Sequence, residues 1–131
     1  MAKNKFTYHG KGITAGVVTP VASPTAATVI TTGQTDDSYV SRLVASNEST
    51  TATLTLYHHD GTSNFMLTAI SVPGHTLSSG NAYDILQTGL IPGSTLDSKG
   101  NYIYPLASGH SLRAHGNATI NVIFERVDYA E

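Results

Sequence analysis

Residues 51–58 read Thr-Ala-Thr-Leu-Thr-Leu-Tyr-His, and their alternation constrains the chain more than any other feature. Ala52, Leu54 and Leu56 fall on one face, and Thr51, Thr53 and Thr55 on the other. A period of two with β-branched residues on the polar side describes a half-buried strand. His59-Asp60-Gly61-Thr62 then supplies a hairpin turn, because Asp-Gly tolerates positive φ. Residues 65–72 return as the partner strand, and Pro73-Gly74 ends it. Such a hairpin has one apolar face to cover. No stretch of even ten residues carries helical periodicity, so the cover must come from further strands.

Those strands are legible from residue 28 onward. Residues 39–46 are a strand-length run closed by Asn47-Glu48-Ser49. Shorter runs at 82–86, 102–106 and 111–114 are separated by Ser79-Gly80-Asn81, Ile91-Pro92-Gly93, Lys99-Gly100-Asn101, Ser108-Gly109 and His115-Gly116-Asn117. The last run, 118–129, sets Ile120, Val122 and Phe124 against Thr119, Asn121 and Glu125. Ile123 and Val127 interrupt its polar side, which predicts cover on both faces. Many short strands with Gly, Pro and Asn punctuation predict an all-β fold, a jelly-roll-like antiparallel β-sandwich. With 131 residues the chain is sized for one such domain.

The first 27 residues differ. Three of the seven cations, Lys3, Lys5 and Lys11, sit among Gly10, Gly12, Gly16, Pro20 and Pro24, and the apolar residues are small and aperiodic. Such a segment cannot bury enough surface alone to offset its ordering entropy. The division expected is an extended N-terminal arm or loosely attached edge segment over 1–27, ahead of a sandwich domain over 28–131. A disordered tail is the alternative. Lys3, Lys5, Phe6, Tyr8, Lys11, Val17 and Val18 are the candidate assembly contacts, and a stretch such as 16–19 could add to a neighbour's sheet edge.

Charge and composition narrow the partners. A net charge of −2 with only seven Lys and Arg argues against nucleic acid, whose binding needs clustered cations. Charged residues make up 12%, a composition that suits side-by-side packing of chains because little charge must be desolvated. Zero cysteines exclude disulfides and thiolate metal sites. No run approaches the roughly 20 apolar residues of a membrane-spanning helix, and the N-terminus lacks the pattern of a signal peptide. No membrane partner is expected, and synthesis in a cytoplasm is.

Chemistry is sparse. There are six histidines, and His58-His59-Asp60 places ligand-type residues in a row, yet in a strand the two imidazoles point to opposite faces. His110 and His115 bracket a short strand and His75 follows Gly74. A fold could gather three of these around a metal, but the spacings of known histidine motifs are absent, and solvated turn histidines are the expectation. Asp36-Asp37 reads as the opening of the strand at Tyr39, with a calcium site as the alternative. No nucleophile elbow, P-loop or dinucleotide fingerprint occurs, so neither an enzyme nor a cofactor is expected. The sequons at Asn47 and Asn117 read as ordinary turns. Tyr102 and Tyr104 share one strand face, as a sugar-stacking platform would need; tyrosines at a sandwich edge or an oligomer interface are the simpler reading.

The order of strand ends carries a resemblance. Tyr39-Val-Ser-Arg-Leu-Val-Ala-Ser-Asn47, Thr51-Ala-Thr-Leu-Thr-Leu-Tyr57, Asp60-Gly61, Ile70-Ser-Val-Pro73-Gly74 and Leu106-Ala-Ser-Gly109-His-Ser-Leu112-Arg-Ala114 follow one another, with a closing strand over 120–124. This pattern, spanning roughly residues 28–129, resembles small structural proteins of tailed bacteriophages. It departs from them at His110, where their motif has an acidic residue after the glycine. The resemblance implies a virion protein without catalytic or cofactor residues, of the capsid decoration (cement) type. It implies a jelly-roll-like homotrimer that binds the major capsid protein or other virion proteins where capsomers meet and stabilises the head. A tail, neck or fibre component that binds protein or glycan is the alternative it leaves.

Overall fold

The chain folds into two antiparallel sheets, seen in a computed structural model that describes residues 12–22, 26–76, 79–116 and 120–129. In chain order the strands are β1 (Gly12–Val18), β2 (Thr28–Thr32), β3 (Ser38–Asn47), β4 (Ala52–His59) and β5 (Asn64–Val72), followed by β6 (Tyr83–Asp84), β7 (Thr95–Leu96), β8 (Tyr102–Leu106), β9 (Ser111–His115) and β10 (Ile120–Asp128). The first sheet runs β1-β10-β3-β8-β7, with β6 also paired to β3, and the second runs β2-β9-β4-β5. Pairing is nested: β1 with β10, β2 with β9, β3 with β8, and β4 with β5. Pairs β10–β3 and β9–β4 then close each sheet.

Alternation decides what lies between the sheets. From the first come Val40, Leu43 and Ala45 of β3, Tyr104 and Leu106 of β8, and Ile120, Val122 and Phe124 of β10. From the second come Leu54 and Leu56, Ile70 and Val72, and Leu112 and Ala114. Burying each large side chain here stabilises the fold by roughly 1.5–3 kcal/mol. The inward set of β3 changes parity, from Ser38 and Val40 to Leu43, Ala45 and Asn47, because a bulge inserts Ser41 opposite the Glu125–Arg126 step of β10. Val127 is 6% exposed although it lies on the outward side of β10, beside Ile13 and Tyr39, so that strand is covered on both faces there.

One segment differs from expectation. The run at 82–86 is only a two-residue strand, followed by a 3-10 turn at Leu86–Thr88. Ile85 and Leu86 are consecutive and both fully buried, which alternation forbids and a tight turn allows. Of the segment expected as an extended arm or a loosely attached edge segment, Gly12–Val18 forms β1 at the edge of the chain's own sheet. Thr14, Gly16 and Val18 face inward there, and Gly16 lies beneath Phe124, whose ring a Cβ would approach to 3.1 Å. Residues 1–11 and 23–25, and with them Lys3, Lys5, Phe6, Tyr8 and Lys11, lie outside the described residues.

Candidate functional site

The outward face of the first sheet carries three rows across its strands. Ile13, Val127, Tyr39 and Pro105 form one, Ala15, Glu125 and Arg42 the second, and Val17, Ile123 and Val44 the third. The first and third are apolar as far as β3, the middle one is charged, and exposed Asp84 of β6 continues the third beyond Val44. Ile13 and Val17 are each 64% exposed, while Ile123, Val44 and Tyr39 are half-buried. The Glu125 carboxylate accepts a hydrogen bond from the Ser41 hydroxyl at 2.9 Å, so the β3 bulge fixes the acid at the centre of the middle row. Of the described candidate contacts, Val17 stands on this face and Val18 points inward against the core.

Behind this face an ion pair fastens the two sheets. Arg126 faces inward and meets both carboxylate oxygens of Asp128, with Nε to Oδ1 at 2.7 Å and Nη2 to Oδ2 at 3.2 Å. Its guanidinium also donates to Thr31 of β2 and Thr14 of β1. Ser38 of β3 donates to Asp128 at 2.7 Å. Burial raises the Asp128 pKa, but these hydrogen bonds and the Arg126 charge more than offset it and hold the carboxyl below its ordinary value.

Histidines meet at one end of the sandwich. His58 has the parity of Leu54 and Leu56 and therefore points between the sheets. Its Nδ1 lies 2.7 Å from the Tyr104 hydroxyl of the opposite sheet, and its Nε2 lies 2.8 Å from Nδ1 of His110 in the β8–β9 turn. Burial, and then the neighbouring His110, push the His58 imidazole below its ordinary pKa. Burial pushes the Tyr104 phenol up to about 12, so it stays protonated and available as a donor. The expectation of solvated turn histidines therefore fails for His58 and His110. The signal was present in the alternation, which put His58 on the apolar face of residues 51–58.

The other candidates serve local structure. His59 and Asp60 cap the β4–β5 turn: His59 Nδ1 accepts from Gly61, and the Asp60 carboxylate from Thr62 and Ser63. His75 meets Ser46 through Nε2 at 2.9 Å, and His115 packs on the Tyr57 ring. Asp37 adopts φ 67 and accepts from the Ser108 amide, a turn role that fits the opening of β3. Asn47 is fully buried and donates to the carbonyls of Thr50 and Val72, while Asn117 lies outside the described residues. Tyr102 and Tyr104 do share a face, but it is the inward one, with Tyr104 4% exposed, so the pair presents no sugar-stacking platform. Among the described residues no three His, Asp or Glu side chains stand where they could share a metal ion. No family model, curated protein or solved structure matches the chain.

Proposed function

We propose that the chain is a virion structural protein of a tailed bacteriophage, a capsid decoration (cement) protein. It binds the outer capsid surface as a homotrimer and stabilises the head. The observation that carries this reading is the outward face of the first sheet, where exposed Ile13 and Val17 continue apolar rows made by Val127, Tyr39, Ile123 and Val44. Mainly apolar rows on either side of the Glu125–Arg42 row suit the surface by which copies of the chain pack into the trimer, since most of what is covered costs little to desolvate, and a trimer meets the shell at three places at once. The fold proposed is a jelly roll. Its support is the nested pairing, in which a ribbon of β1–β10, β2–β9, β3–β8 and β4–β5 rolls up so that β10 meets β3 and β9 meets β4. Many copies on one shell convert weak contacts into firm attachment through effective concentration.

Co-sedimentation tests it. Purified chain is mixed with heads of the phage that encodes it, stripped of this protein, and separately with its tails. The expected result is saturable binding to heads, weakened at least tenfold by the double substitution Ile13→Lys with Val17→Lys. Binding to tails alone would place the protein elsewhere on the particle. Undiminished head binding by the lysine variant would overturn the role given to this face.

A further inference from the structure

The Tyr104, His58 and His110 side chains join three parts of the fold: β8 in one sheet, β4 in the other, and the turn over residues 107–110 that leads from β8 to β9. That turn is otherwise held by the Asp37 carboxylate, which accepts from the Ser108 amide, and by backbone hydrogen bonds. Gly33 N donates to the His110 carbonyl, Gly109 N to that of Gly33, and His110 N to that of Ala107.

Proton counting limits what this chain of groups can hold. With both imidazoles neutral, hydrogen bonds run one way or the other. Either Tyr104 donates to His58 Nδ1 and His58 Nε2–H donates to His110, or His110 Nδ1–H donates to His58 Nε2 and His58 Nδ1–H donates to Tyr104. One added proton is also accommodated, because an imidazolium at His58 donates at both ends. A second is not. With both histidines charged, two N–H groups face each other across 2.8 Å and the bond between the rings is lost.

We propose that His58, His110 and Tyr104 form a proton-limited clasp that holds the β8–β9 turn onto β4 at neutral pH and releases it when both histidines are charged. The groups facing His58 are Tyr104 from β8, His110 from the turn, and Asp60 and His59 from its own hairpin. Its cross-strand neighbours, Phe65 of β5 and Leu112 of β9, carry no charge. Asp60 favours the proton on His58, whereas burial, His110 and His59 oppose it. The clasp stands independently of any role on a virion.

Imidazole nitrogen NMR of the full chain between pH 8 and 4, with amide hydrogen exchange over the same range, decides the matter. The wild type is expected to take up the two protons in steps separated by about one pH unit or more. Below the second step the amides of Gly33, Gly109 and His110 should exchange roughly tenfold faster relative to those of β10, after correction for intrinsic pH dependence. His110→Ala should leave one step at His58 and no pH-linked change in turn exchange. Tyr104→Phe, which keeps the ring volume and the His58–His110 bond, should retain both steps and serves if the first variant fails to fold. Independent titration of the two rings at a common midpoint would overturn the clasp. So would turn protection that does not change across the second step.

Discussion

Gly33 and Gly61 both serve turns, and substitution should separate their reasons. A Cβ on Gly33 would lie 2.3 Å from the Ala107 carbonyl oxygen and 2.9 Å from that of Leu106, and backbone atoms cannot swing aside. Gly33→Ala should therefore destabilise the fold by about 2–3 kcal/mol, as overpacking does. Gly61 has φ 97 and open space around it, so Gly61→Ala should cost only about 1 kcal/mol, from backbone strain. Urea unfolding of the two variants checks the contrast, and equal losses would contradict it. Asp128 adds a pH dependence of defined sign. Its folded pKa lies below the ordinary 3.8, so between the two values the unfolded chain binds more protons than the folded one. Its contribution is present in full above about pH 4 and is lost as pH falls through the depressed value. Asp128→Asn should lose about 1.5–3 kcal/mol at neutral pH, in the range of charge-assisted hydrogen bonds, and flatten the acid limb of a stability–pH curve. His58 has the same sign at higher pH. Its pKa is also depressed, so its contribution is present above the ordinary 6.5 and declines as acid carries it through the folded value.

At the scale of the element, β1 is where face and register can be tested directly. Val17 and Val18 are neighbours in sequence that look to opposite sides of the first sheet. Val17→Lys should leave stability within about 0.5 kcal/mol, as surface substitutions do, while removing apolar surface from the outward rows. Val18→Lys must push a charge toward the core and should lose about 2–3 kcal/mol. Thermal and denaturant unfolding of the pair reads the outcome; indifference at both positions would mean that β1 does not dock as described. The same parity explains what was legible beforehand. The β4–β5 hairpin and β8 stand where alternation and turn residues put them, because Leu54 and Leu56, Ile70 and Val72, and Tyr104 and Leu106 each share one inward face, although Thr55 on the other face of β4 is buried as well. Strand β3 shows no such alternation in sequence, since the bulge at Ser41 turns its inward set over midway. Segment 82–86 carried strand-forming residues but needed Ile85 and Leu86 on the same side, which a 3-10 turn supplies. The pairing of β1 with β10 joins the two ends of the described chain, and no local pattern in residues 12–18 encodes that partner. The outward rows were hidden for the same reason, because Ile13, Val127 and Tyr39 become neighbours only once β1, β10 and β3 lie side by side. His58 was readable from its parity, whereas its contact with His110 depended on how the sheets stack.

For the whole molecule, charge decides how assembly should respond to solvent. Seven cations and nine carboxylates leave a net charge of −2, too little to steer association strongly over long range. The outward face of the first sheet adds two mainly apolar rows around one Glu125–Arg42 row, so its coverage by a further copy should be driven by apolar burial. Native mass by light scattering over a concentration range is then expected to rise to that of a trimer. Its midpoint should shift by less than about threefold between 50 and 500 mM NaCl, because screening acts on charges and leaves apolar contacts in place. Sulfate should tighten it, since excluded salts favour burial of apolar surface. The lysine variant at Ile13 and Val17 should remain monomeric under both salts. Weakening of the wild type by more than about tenfold in NaCl would shift the weight of the interface onto Glu125 and Arg42. The apolar rows would then be a flank to an electrostatic contact rather than its centre, and charge reversal at Arg42 would become the stronger perturbation.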